Sequence, residues 1–157
     1  MLYCIILYCL TKYMKSIKSN NFKSKRRKKT NNSKKTRKRK SMKIKHKVFG
    51  KVAKTYEEIK KGLMFRKEKL GKNEGLLFDT GINKIQSFWM KNTFIPLDVL
   101  FLNSNFRVIG FVENTTPHSL DPVTINKKSC FVLEVNAGFV KENNVKKNDY
   151  IDFHITK

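Results

Sequence analysis

From about residue 52 onward, short apolar or β-branched runs alternate with clusters of Gly, Asn and Pro, the punctuation of strands and turns. Runs 75–78, 86–91, 97–103, 106–114 and 129–135 read as strands. Asn103-Ser104-Asn105 is a three-residue loop of turn formers, so residues 97–114 are expected to form a hairpin. Thr55-Tyr56-Glu57-Glu58 has the hydroxyl-and-acid spacing of a capping box, which predicts a helix from Thr55 to about Met64. A second helical turn is expected within residues 138–144. Near the end, Ile151, Phe153 and Ile155 alternate with Asp152, His154 and Thr156, which predicts a strand with the three apolar residues inward and His154 outside. Runs 97–102 and 131–135 are apolar at consecutive positions, as strands covered on both faces are. The fold class expected is α+β and β-rich: a compact, barrel-like or strongly curved, mainly antiparallel sheet with one or two short helices.

Within this pattern, Phe88-Trp89-Met90-Lys91-Asn92-Thr93-Phe94-Ile95-Pro96-Leu97-Asp98 places polar groups inside an apolar run. An unpaired buried polar group costs about 1 to 3 kcal/mol, so such groups are bonded or used. Lys91, Asn92 and Asp98 are therefore site candidates, with Asp98 expected to bond the Asn92-Thr93 turn or to pair with Lys91 or Arg66. Two readings stay open: a structural clamp, or an anion-binding pocket with Lys91 and Arg66 as donors. Arg66 also suits the C-terminus of the expected helix, where its charge complements the dipole. Glu134, alone in an apolar strand, either pairs across strands or has its pKa raised by burial. His118 lies in a Pro-bounded loop, whereas His46 reads as part of the N-terminal tail. No His, Cys or Asp cluster has metal-ligand spacing, and nucleophile elbows, phosphate-binding Gly-rich loops and paired-carboxylate motifs are missing, so neither metal nor cofactor is expected.

Taken with Gly62-Leu63-Met64-Phe65-Arg66, Gly75-Leu76-Leu77-Phe78 and Val132-Leu133-Glu134-Val135, the Trp89 segment closely resembles the DUF192 family, also called UPF0127, over residues 52–155. The resemblance implies a compact β-rich α+β domain, marks Arg66 and Glu134 as positions of interest, and implies no particular reaction. Leu76 stands where the family usually has Met, and Asn148 where it usually has Gly; both changes are conservative in volume or backbone freedom.

Charge divides the chain. Residues 12–47 carry eighteen Lys or Arg and no acid, whereas 48–157 carry seventeen basic and twelve acidic residues, so the +23 splits into +18 and +5. Like charges without apolar surface do not form a core, and this segment is expected to be disordered in isolation. The organisation expected is a short apolar segment 1–13, a basic tail 14–43 and a DUF192-like domain 44–157. Lys25, Arg26, Arg27, Lys28, Lys29, Arg37, Lys38, Arg39 and Lys40 suit nucleic acid or another polyanion and resemble nuclear-localisation patches. The apolar run 2–10 is about nine residues, short of the roughly twenty a spanning helix needs, and lacks the flanks of a secretory signal. Followed by a basic flank, it leaves peripheral membrane association open. Three cysteines without pairing or ligand spacing fit a reducing, intracellular compartment. The leading expectation is a non-enzymatic binding module with a small polar pocket and a polyanion-contacting tail. The alternatives are a hydrolase of phosphate-containing or nucleic-acid substrates, with Asp98 and Glu134 as acid and base, and a membrane-peripheral protein.

Overall fold

The computed structural model describes residues 46–156. The apolar segment 1–13 and the tail residues Lys25 to Lys40 lie outside the described residues.

Six strands form one sheet: β1 (His46–Ala53), β2 (Glu74–Phe88), β3 (Leu97–Leu102), β4 (Val108–Val112), β5 (Val123–Asn136) and β6 (Ile151–Ile155). Helix α1 (Tyr56–Lys61) joins β1 to β2, and α2 (Phe139–Glu142) lies between β5 and β6. The strand order is β4-β3-β5-β2-β1-β6. β1 runs parallel to both β2 and β6, while the pairings β2–β5, β3–β5 and β3–β4 are antiparallel. The sheet curls until its two ends touch. Arg107 bridges Tyr150, and the amides of Val108 and Ile151 donate to the carbonyls of Asp149 and Phe106 at 2.9 and 3.0 Å. The expected β-rich, curved sheet with two short helices is the fold observed.

Alternation sorts the strand residues onto two buried faces. Phe78, Leu97, Val99, Phe101 and Val132 point to one side and pack with Ala53, Leu70, Met90, Ile95 and Val123. Leu77, Leu100, Leu102, Leu133 and Val135 point to the other, where the buried residues of α2 are Phe139 and Val140. All six residues of β3 are buried for this reason.

Local chemistry sets the ends of α1. Thr55 caps its first turn, and the Glu58 carboxylate reaches back to the amides of Thr55 and Lys54 at 2.9 and 2.8 Å, which hold its carboxyl below the usual carboxylate range. The helix stops at Lys61, short of the Met64 expected, because Gly62 turns to φ 46°. Gly50 is required for a different reason: a Cβ there would lie 1.7 Å from the Gly75 carbonyl oxygen, so β1 and β2 pair only with hydrogen at this position.

Three other expectations change. Residues 75–78 and 86–91 are not separate strands; β2 runs from Glu74 to Phe88 because it pairs with a β5 of nearly the same length. His46 does not belong to the tail. It opens β1, buried, with Nε2 3.0 Å from the Asp149 carboxylate. Ile155, expected inward, is exposed at the end of the last strand.

Candidate functional site

A cleft of about 610 Å³ opens between α1, the middle of β2 and the 120–122 loop. Ile59, Leu63, Phe78 and Phe88 supply apolar walls, Trp89 and Leu120 stand exposed at its rim, and Glu134 lies within it. Its long wall depends on an irregularity in β2. The register between β2 and β5 shifts between Asp79 and Lys84, so residues 80–83 leave the ladder. Buried Gln86 holds the displaced stretch, its Nε2 donating to Thr80 Oγ1 at 2.7 Å, to the Ile82 carbonyl at 3.2 Å and to the Ser129 carbonyl at 3.3 Å.

Glu134 sits on β5 opposite Leu76 of β2 and Val99 of β3, so its side chain shares the apolar face with Phe78 and Val132. It is only 5% exposed, and no hydrogen bond or ion pair reaches its carboxyl group from the described residues. Burial pushes that carboxyl up to about 8, so near neutral pH it is mostly the uncharged acid. A protonated carboxylic acid offers one donor and one acceptor side by side. Lys60, Lys61 and Lys84, all exposed, also line the cleft, Lys60 with its Nζ 5.8 Å from the Tyr56 ring centroid.

Asp98 is placed differently. It pairs with Val135 across β3 and β5, which turns it to the opposite face of the sheet from Glu134. There it is fully buried, its Oδ1 accepting from the Asn114 amide and its Oδ2 from the Val140 amide, both at 2.8 Å. The partners expected for it, the Asn92-Thr93 turn, Lys91 and Arg66, are replaced by these two amides, because alternation aims Asp98 toward α2. Asp98 and Glu134 therefore do not meet, and an acid–base pair between them has no common substrate position.

The remaining candidates cluster around one set of loops. Asn92 adopts φ 55°, and its carbonyl accepts from the Phe65 amide at 2.7 Å. Lys91 is exposed, with Nζ 5.3 Å from the Trp89 ring centroid. His118, at φ 62°, sets its ring edge-on to Phe94 at 4.6 Å, and its amide donates to the Thr93 carbonyl. Arg66 closes its own loop, donating from Nε to the Glu68 carbonyl at 2.9 Å, with Glu74 3.9 Å from Nη2. None of these four lines the cleft; of the candidates only Glu134 does. Gln86, Lys60, Lys61 and Lys84 were not flagged from sequence. Gln86, a lone amide between Ile85 and Phe88 in a strand-like run, is the one that carried a readable signal. Among the described residues no group of three or more His, Cys, Asp or Glu is arranged to hold a metal, and no helix is long and apolar enough to cross a membrane.

Two crystal structures share the fold. One, from Sinorhizobium meliloti 1021, is described as "a putative transcription regulator"; it is 36% identical, with a TM-score of 0.62, over 64% of this chain and 78% of that one. The other, a protein of unknown function from Novosphingobium aromaticivorans DSM 12444, is 37% identical, with a TM-score of 0.61, over 64% of this chain and 71% of that one. No curated protein matches the chain. The family model DUF192, described as Uncharacterized ACR, COG1430, matches residues 36–153, and the chain belongs to this family.

Proposed function

We propose that this protein is a non-enzymatic binding module: the folded domain holds a small ligand in the Glu134 cleft, and the basic tail brings it to nucleic acid or another polyanion. One observation supports the ligand half above all. Among the described residues Glu134 is a buried acid with no partner, lining a cleft with apolar walls, and a desolvated acid in a cleft is a mark of a functional site. The cleft volume, about 610 Å³, falls in the range of small-molecule sites, roughly 300 to 1,000 Å³. Binding is favoured over hydrolysis because the two acids that a hydrolase would pair face opposite sides of the sheet. For the tail, eighteen basic residues without one acid over residues 12–47 suit phosphate contact by counterion release. The description of the Sinorhizobium neighbour as a regulator accords with a module that couples a ligand to a nucleic-acid partner.

The test uses 8-anilinonaphthalene-1-sulfonate, an apolar anion whose emission rises when it leaves water. The full chain is expected to give saturable enhancement. Ser87→Trp, which fills the cleft from an exposed wall position, is expected to weaken uptake at least tenfold with the melting temperature unchanged. Equal uptake by both proteins would remove the cleft as the site.

A further inference from the structure

We infer that the ligand of this cleft is a nucleotide, whose base enters between the aromatic walls to meet the Glu134 carboxyl with its donor–acceptor edge while Lys60, Lys61 and Lys84 hold the phosphate. This rests on the binding-module reading above and adds the chemical class of the ligand.

Three features select the class. Aromatic rings line part of the cleft: Tyr56 of α1 and Trp89 are exposed, Phe88 is half-buried, and Phe78 lies buried and edge-on to it at 4.9 Å. Stacking on such faces suits any planar heterocycle and does not require a particular sequence or ring. Within the cleft, Glu134, which has no partner among the described residues, presents an adjacent O–H donor and carbonyl acceptor. Its complement is a ring edge carrying neighbouring acceptor and donor atoms, and every common nucleobase has one. Three exposed lysines from two elements, α1 and β2, line the cleft, and among the described lining residues Glu134 is the only acid.

Those lysines decide against the obvious competitor. A buried carboxyl beside aromatic rings also describes an amine site, where a carboxylate and ring faces attract a cation. A cationic ligand in this cleft would be repelled by Lys60, Lys61 and Lys84, whereas a phosphate is attracted by them and leaves its base free to meet Glu134. A long-chain fatty acid fits the lysines and the apolar walls but leaves the Glu134 donor and acceptor unmet.

The nucleotide chemistry has two sources: a free mononucleotide, or an unstacked base of a strand held along the protein. The full chain reports on both, because Trp89 is its only tryptophan and stands at the cleft rim. Titrations follow quenching of Trp89 emission by adenosine 5′-monophosphate, by single-stranded hexaadenylate and by ribose 5-phosphate. Saturable quenching by the mononucleotide assigns the free ligand, and quenching by hexaadenylate alone assigns a strand; either supports the inference. Quenching by ribose 5-phosphate as strong as by the nucleotides, or none by either nucleotide, overturns it.

Two variants separate the carboxyl's role from a structural one. Glu134→Leu removes a desolvated acid, so it should fold and melt no lower than wild type while losing at least tenfold in nucleotide affinity. Glu134→Gln keeps a neutral donor and acceptor and is expected to stay within about threefold. The other titratable groups on the cleft are Tyr56, Lys60, Lys61 and Lys84, and Glu134→Gln retains all four. Wild-type affinity should therefore fall between pH 7.5 and 9 while that of Glu134→Gln does not. An affinity that instead rises over this range with ionisation of the carboxyl would identify an amine site and overturn the assignment. Uptake of anilinonaphthalene sulfonate without nucleotide binding would overturn it too, leaving the cleft itself standing.

Discussion

Asp98 and Glu134 lie one residue out of step on neighbouring strands, Asp98 paired with Val135 and Val99 with Glu134, and that single step sends their carboxyl groups to opposite faces of the sheet. One acid ends with two backbone amides as partners, the other with none among the described residues. They are accordingly expected to respond oppositely to removal. Asp98→Ala leaves the Val140 amide without an acceptor in a buried setting and the Asn114 amide in a part-buried one, and at about 1 to 3 kcal/mol per orphaned buried donor it should destabilise the domain by ~2 kcal/mol. A urea unfolding midpoint unchanged in Asp98→Ala would show that the clamp carries no stability.

Glu134 should give the reverse result, with a characteristic pH dependence. Its folded pKa, about 8, lies above the ordinary value of 4.5, so the folded state holds the proton more tightly than the unfolded chain does. The stability of this linkage is fully present below pH 4.5 and is lost as pH rises toward 8. Each pKa unit is worth about 1.4 kcal/mol, so the loss at full ionisation is on the order of 5 kcal/mol. Glu134→Leu should therefore gain stability over wild type steadily from pH 5 to pH 8 and level off above it. Parallel stability curves for the two proteins would mean that the buried carboxyl is not protonated at neutral pH.

Gly50 is a test of strand proximity. With the Gly75 carbonyl oxygen 1.7 Å from the position of a Cβ, Gly50→Ala forces β1 and β2 apart. Replacement should lower stability by about 3 kcal/mol or more, beyond the usual range for a surface strand substitution. A circular-dichroism melt within a few degrees of wild type would contradict this packing.

Thr55→Ala breaks the reciprocal pair of bonds that starts α1. N-cap replacements of this kind cost about 1 kcal/mol. Because α1 carries Tyr56, Ile59, Lys60 and Lys61, all of which line the cleft, the same variant should weaken uptake of anilinonaphthalene sulfonate. Weakened stability with uptake unaffected would separate the helix from the site.

The tail makes its own prediction. Binding of single-stranded RNA by the full chain should fall steeply between 50 and 200 mM salt, whereas a chain starting at Met42 should bind weakly with a shallow slope. Equal slopes would place the polyanion contact in the folded domain.

Strands are legible in the sequence where their own residues are mostly apolar, as in β3, five of whose six buried residues are apolar. The centre of β2 is not. Asp79, Thr80, Gly81, Asn83 and Lys84 read as a loop, and they form part of a strand only because β5, more than forty residues later, runs alongside. The face of Asp98 followed from alternation, but its partners lie 16 and 42 residues away in sequence and no local pattern announces them. Of the polar residues singled out, Lys91 stays exposed beside Trp89 and Asn92 serves through its backbone, turning the chain and accepting from the Phe65 amide. Glu134 was conspicuous as the single acid in an apolar run, whereas Lys60, Lys61 and Lys84 could not be told apart from the other lysines of a chain that has 29.

The place of β1 between β2 and β6 has a consequence for synthesis. The first strand of the sheet to leave the ribosome is flanked on one side by the last, so one side of β1 stays open until Ile151–Ile155 has emerged. During that interval the partly made domain carries an unpaired parallel edge, the kind of template on which nascent chains associate. A chain cut before Ile151 would keep that edge permanently, so the final five-residue strand acts as the lock that ends the vulnerable period of folding.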